Sequence, residues 1–154
     1  MDEMSFKEKT ITVTLINFLL ILIYVLWRLR RMLATDTFVA ERIFNLWGWV
    51  IFFAVVVSII AIILANFGLT LLKAINENNP NPEIDDFEDE RDQLIDLRGT
   101  RITYSFYSFG VLITMLTFVL GQSALVMFTV LMVVGLVAQI AGDVTRLVLY
   151  RRGF

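Results

Sequence analysis

Hydropathy divides this chain into four long apolar runs, residues 10–27, 43–72, 102–120 and 124–142, separated by a basic loop, a longer acidic loop and a three-residue turn. A helix needs about 20 apolar residues to cross roughly 30 Å of hydrocarbon, and each run meets or approaches that length. The pattern predicts an all-α membrane protein. Its expected form is an antiparallel four-helix transmembrane bundle, with an acidic cytoplasmic juxtamembrane helix between spans two and three, and residues 1–154 making a single transmembrane domain.

Local signals place the helix ends. Ser5 and Glu8 have the spacing of a capping box, so the first helix is expected to start at Phe6. It should run past Trp27 into Arg28, Arg30 and Arg31, whose long stems carry charge out to an interface. A turn at 34–37 follows, with Asp36 or Thr37 capping a second helix from Phe38. The second run would measure about 45 Å at 1.5 Å per residue, so tilt or a projecting end must absorb the excess over the bilayer. Pro80 and Pro82 among asparagines break that helix. Asp85 or Asp86 can cap the next, whose first turn, 87–90, carries acids that complement a helix N-terminus. Gly121, Gln122 and Ser123 alone join the last two runs, which forces a tight hairpin. Residues 1–9 are acidic on balance and no small-residue cleavage pattern follows the first run, so a cleaved signal is not expected.

Small and polar residues recur within the runs at steps of three and four. They are Ala54, Ser58, Ala61, Ala65 and Gly68 in the second; Thr103, Tyr107, Gly110, Thr114, Thr117 and Gly121 in the third; and Gly135, Ala138, Gly142 and Thr145 in the fourth. Thr10, Thr14 and Asn17 continue the spacing in the first. This is the period of a left-handed coiled coil, and small residues let membrane helices approach closely where lipid supplies no hydrophobic drive. The seams are read first as the core of the bundle, with homodimerisation through one of them as the alternative.

Composition narrows the chemistry. Apolar residues make up 58% of the chain and charged ones 18%, too much apolar surface for a soluble domain of this size to hide. With no Cys and no His, thiol catalysis, disulfides and the common zinc and copper sites are excluded. No phosphate-cradling glycine loop or nucleophile elbow occurs, so a non-enzymatic protein without cofactor or metal is expected. Of the fifteen acids, nine fall between residues 77 and 96. That segment would repel phosphate, which argues against direct nucleic-acid binding.

Nine Lys and Arg residues lie on the side of both termini and the acidic loop, against four on the other side. The positive-inside rule therefore puts both termini in the cytoplasm, although Arg28, Arg30 and Arg31 argue the other way. Trp27, Trp47 and Trp49 suit an interfacial belt at one face, and Tyr104, Tyr107 and Tyr150 at the other. The charges at membrane depth are Asp143 and Arg146, three residues apart on one helix face, with Arg101 as a competing partner for Asp143. They are read as a structural ion pair in preference to a proton or ion relay, which would place a carboxylate nearer mid-membrane.

The acids of 83–96 offer oxygens for a hard cation, but no glycine occurs where a calcium loop needs its turn. A solvated face or a docking surface fits better, with Glu88, Asp89, Glu90, Arg91 and Asp92 as the candidate docking residues. Arg91, Leu94, Arg98 and Arg101 fall on one helix face, with Ile95 and Ile102 beside it. That face is expected against headgroups or the bundle, with the acids turned toward the cytoplasm.

Asp89-Glu90-Arg91-Asp92, then Leu94, Ile95 and Arg98, then a run opening with Arg101, Ile102 and Tyr104, resembles the signature of small, functionally uncharacterised prokaryotic membrane proteins with four predicted spans. The tail from Arg146 through Tyr150, Arg151, Arg152 and Gly153 is similar to theirs as well. The likeness covers 89–154; the first two runs match only in being apolar, and the acidic, proline-broken lead-in at 76–88 departs from the pattern. The resemblance implies residence in a prokaryotic cytoplasmic (inner) membrane. It also implies company with a small helix-turn-helix regulator, and so a signalling or sequestering role. Beside that role stands a small-molecule or lipid handler, with substrate entering near Tyr104, Tyr107, Gln139 and Asp143.

Overall fold

The computed structural model describes residues 6–77 and 90–152; side chains at 61–62 and 64–77 lie outside that description. The described residues form four helices and no strands: α1 (Phe6–Ala34), α2 (Ala40–Glu77), α3 (Glu90–Val119) and α4 (Ala124–Arg152). All four are long and apolar enough to cross a membrane. Helix α2, with 38 residues, would extend about 57 Å. Helix α3 starts in the acidic segment and continues unbroken into the third apolar run, so among the described residues no separate juxtamembrane helix precedes it. Ser5, Asp85 and Asp86, expected as caps, lie outside the described residues.

The two short connections show why the helices stop. Asp36 adopts the left-handed conformation (φ 50°), and the Thr37 amide donates back to the Met32 carbonyl at 2.9 Å, the wide turn that ends a helix through a left-handed residue. Asp36 therefore closes α1, and α2 starts at Ala40. The expectation that Asp36 or Thr37 caps a helix from Phe38 is corrected: the Ile43 amide reaches the Val39 carbonyl, which makes Val39 the cap residue before Ala40. Gly121 (φ 86°) plays the Asp36 part at the end of α3, with the Gln122 amide on the Thr117 carbonyl at 3.1 Å. Ser123 then opens α4 by accepting from the Val126 amide.

Helix α4 touches each of the other three. Helices α1 and α2 pack on it and on each other, whereas α3 packs closely on α4 alone, and α2 and α3 do not meet among the described residues. An apolar core gathers near the α1–α2 turn: Val25, Leu29 and Met32 from α1, Ile43, Leu46 and Val50 from α2, and Met132 and Leu136 from α4. Trp47 is half-buried against this core, and its buried indole nitrogen has no acceptor. Trp27 and Trp49 do face outward.

The core is small, and much apolar surface remains outside it. Phe109 is 68% exposed, Leu120 76% and Phe53 50%. Of the α2 seam, Ala54 and Ser58 are half-buried, and the Ser58 hydroxyl is spent on the Ala54 carbonyl. Ala61, Ala65 and Gly68 fall outside the described side chains.

Candidate functional site

Helices α3 and α4 form a hairpin centred on Gln122, and their close contact depends on glycines. Gly110 and Val134 each lie twelve residues from Gln122, and a Cβ on Gly110 would collide with the Val134 side chain. A Cβ on Gly142 would strike the Thr103 hydroxyl and come within 3.1 Å of the Gly99 carbonyl oxygen. At Gly99 a Cβ would run into the Arg146 side chain. Gly142 and Ala138 are buried at this interface. Gly135 is looser, with the Tyr107 ring 3.9 Å from where its Cβ would be.

Bare backbone at Gly99 is what lets Arg146 lie across α3. Its guanidinium donates to Asp96 Oδ1 at 2.8 Å, to Asp143 Oδ1 at 3.0 Å and to the Thr100 hydroxyl at 2.9 Å. Gln139 also donates to Asp143 Oδ1, at 3.2 Å, and Thr14 of α1 faces the same carboxylate. Asp143 is 3% exposed, and its second oxygen, Oδ2, has no hydrogen-bond partner. Arg101, expected as a competing partner for Asp143, is exposed and makes no ion pair with it. Around the helix, Arg101 is turned away from the α4 interface that Gly99 and Thr103 occupy.

One turn further toward the chain's ends, Asp92 joins three helices. Its carboxylate accepts from the Tyr150 hydroxyl of α4 at 2.8 Å and pairs with Lys7 of α1 at 3.2 Å. Arg91 donates to the Tyr150 carbonyl at 3.4 Å, and Arg151 approaches Glu8 at 3.7 Å. The expectation that the acids of this helix all project outward is therefore corrected at Asp92. That side chain is 24% exposed and turned inward, because Ile95, at 1% exposure, and Gly99 mark the packed face. Leu94 and Arg101 are exposed, so of the two settings expected for that face they do not take the bundle. Glu90 is exposed, and Glu88 and Asp89 lie outside the described residues.

The arrangement is a polar clamp at one end of the molecule that ties α1, α3 and α4 together. Gly99, Asp96 and Thr100 were not singled out from sequence, and Glu8 was read only as part of a capping box. Hairpin arithmetic could have found the first three, since Arg146 is 24 residues past Gln122 and its partners lie 22 to 26 residues before it.

A second feature is a groove of about 700 Å³ between α3 and α4, lined among others by Phe106, Phe109, Ile113, Val133 and Val137, with Leu29 of α1 at its side. Neither Asp143 nor Gln139 lines it. No family model, curated protein or solved structure matches this chain.

Proposed function

We propose that the protein is a non-enzymatic, multi-pass protein of a prokaryotic cytoplasmic membrane, with both termini and the acidic segment on the cytoplasmic side, that docks a soluble partner through its acidic residues. The breadth of exposed apolar surface supports embedding, because water-soluble monomers rarely expose apolar patches beyond a few hundred Å². The observation that carries the docking reading is the continuity of α3. A single helix leads from Glu90, next to Glu88 and Asp89 in the chain, into the apolar region, and Asp92 fastens that helix to α1 and α4.

A partner bound at Glu90 would therefore meet a helix that Asp92 fastens to α1 and α4. Its chemistry should be basic, since a cluster of acids steers cationic surfaces by charge. A small helix-turn-helix regulator, held away from nucleic acid, is such a partner and agrees with the resemblance noted above. The rival reading, handling of a small molecule at Asp143, has weaker support because Gln139 and Arg146 already occupy that carboxylate on its Oδ1 side.

Co-purification in mild detergent from native membranes tests the reading. The intact protein should retain a basic soluble protein that a Glu88→Gln, Asp89→Asn, Glu90→Gln variant loses, and that raised salt releases. Asp92→Asn belongs in a separate arm, since it breaks the clamp as well as removing charge. An identical set of partners on the intact and triple-variant proteins would overturn docking through these acids.

A further inference from the structure

Arg98, Arg101, Ser105, Phe109 and Ile113 succeed one another on α3 at steps of three and four, so they form one stripe on the helix surface. Arg101 and Ser105 share a shallow, mainly apolar groove along α3 with Leu97, Thr100, Tyr104 and Ser108. Ser105 is also on the rim of the apolar groove, which runs on past Phe109 and Ile113. A mouth with one arginine and the Tyr104 and Ser108 hydroxyls thus opens into a slot without a charged lining residue, while the Ser105 hydroxyl is spent on the Arg101 carbonyl and that of Thr100 is held by Arg146.

The dimensions suit an amphiphile. From Arg101 to Ile113 the helix rises about 18 Å at 1.5 Å per residue, close to the roughly 15 Å that one leaflet contributes to a 30 Å hydrocarbon core. Arg101 forms no ion pair among the described residues, so its charge remains for a ligand. The slot exists because α3 leans on α4 alone and no helix covers this side among the described residues.

We propose that this surface is a binding site for one anionic phospholipid, with its phosphate at Arg101, its headgroup beside the Tyr104 hydroxyl, and one acyl chain in the groove over Gly110. Arg101 stands on the outward face of α3, and a basic side chain at the cytoplasmic surface of a membrane attracts anionic headgroups. The site rests on the membrane reading above but not on the docking of a partner. Its location separates it from Asp143, whose carboxylate lies on the opposite, packed side of the hairpin's polar end.

The experiment is native mass spectrometry of the delipidated full-length protein in nonionic detergent, titrated with phosphatidylglycerol and phosphatidylcholine of equal chain length. The protein should bind one phosphatidylglycerol in preference to phosphatidylcholine. Arg101→Gln should cut that preference about fivefold, the weight of one basic side chain at an anionic surface, and Arg101→Lys should restore most of it. Ser105→Trp, which plugs the neck from an exposed position, should lower binding of both lipids. Arg42→Gln, at the opposite end, should change nothing, and circular dichroism checks that each variant is folded. Equal binding of the two lipids, or an Arg101→Gln protein with undiminished preference, would overturn the site. Release of the protein from membranes by alkaline carbonate would overturn the membrane reading itself, whereas resistance to carbonate without lipid preference would sink only the lipid site.

Discussion

Gly142 carries the tightest demand of any single position, because its missing side chain is what allows Thr103 and the Gly99 carbonyl to sit where they do. Overfilling a packed interface costs about 1 to 3 kcal/mol, so Gly142→Ala should lower the thermal midpoint in detergent. Adding Thr103→Ala should recover part of that loss, since the two side chains compete for one space, and a double-mutant cycle with no coupling would contradict the contact. Asp36 poses the opposite case. A non-glycine residue in the left-handed region costs roughly 1 to 2 kcal/mol, so Asp36→Gly should raise stability, less the entropy that glycine adds to the unfolded chain. A thermal midpoint that falls would show that the Asp36 side chain contributes something the turn geometry does not reveal.

The α3–α4 pairing depends on Arg146 more than on any carboxylate it meets. Removing one partner of a buried ion pair costs about 3 to 5 kcal/mol, because the other charge is left uncompensated. Arg146→Ala would strand Asp143 and vacate Asp96 and Thr100 together, so it should be the most damaging change at the clamp. Asp143→Asn keeps an acceptor for Arg146, which still has Asp96 and Thr100, and should cost distinctly less. Arg101→Gln should leave the melting curve unmoved, as Arg101 takes no part in the pair. Denaturation in detergent orders these three variants, and a reversed order of the first two would mean that Asp143 is held by something other than Arg146. The outer pairs, Lys7 with Asp92 and Arg151 with Glu8, include more exposed partners and should each contribute at most about 1 kcal/mol.

The assembled chain has an open side where α3 leans on α4, and a polar end distinct from the end that carries Trp27 and Arg31, whose guanidinium sits 4.9 Å over the indole. The absence of cysteine makes the proposed orientation directly testable with single introduced thiols. Glu90→Cys should react with a membrane-impermeant maleimide only in inside-out vesicles. Gln122→Cys, at the α3–α4 turn, should react only in right-side-out cells or spheroplasts. Labelling of both from one side would defeat the four-span topology, and exchange of the two patterns would reverse the orientation without disturbing the span count.

Sequence alone determined four helices, their approximate lengths, the Gly121 turn and the importance of Gly110, Ala138 and Gly142, because these follow from hydropathy and from steric rules that act within one segment. It also marked Asp143 and Arg146 as neighbours, since three residues on a helix are close whatever else the chain does. Sequence offered Arg101 as the further partner in that cluster and did not offer Asp96, nor did it foresee that Asp92 turns inward while Leu94 stays outside. Those outcomes depend on the rotation of α3 about its axis, which is marked by the buried Gly99 and Ile95 and not by the acids around them. Trp47 illustrates the same limit: only the docking of α2 on α1 and α4 shows that its ring is half-buried while Trp49 faces outward. The open groove likewise belongs to packing, for hydropathy reads α3 as apolar on every side and cannot show that two of its neighbours leave a face uncovered.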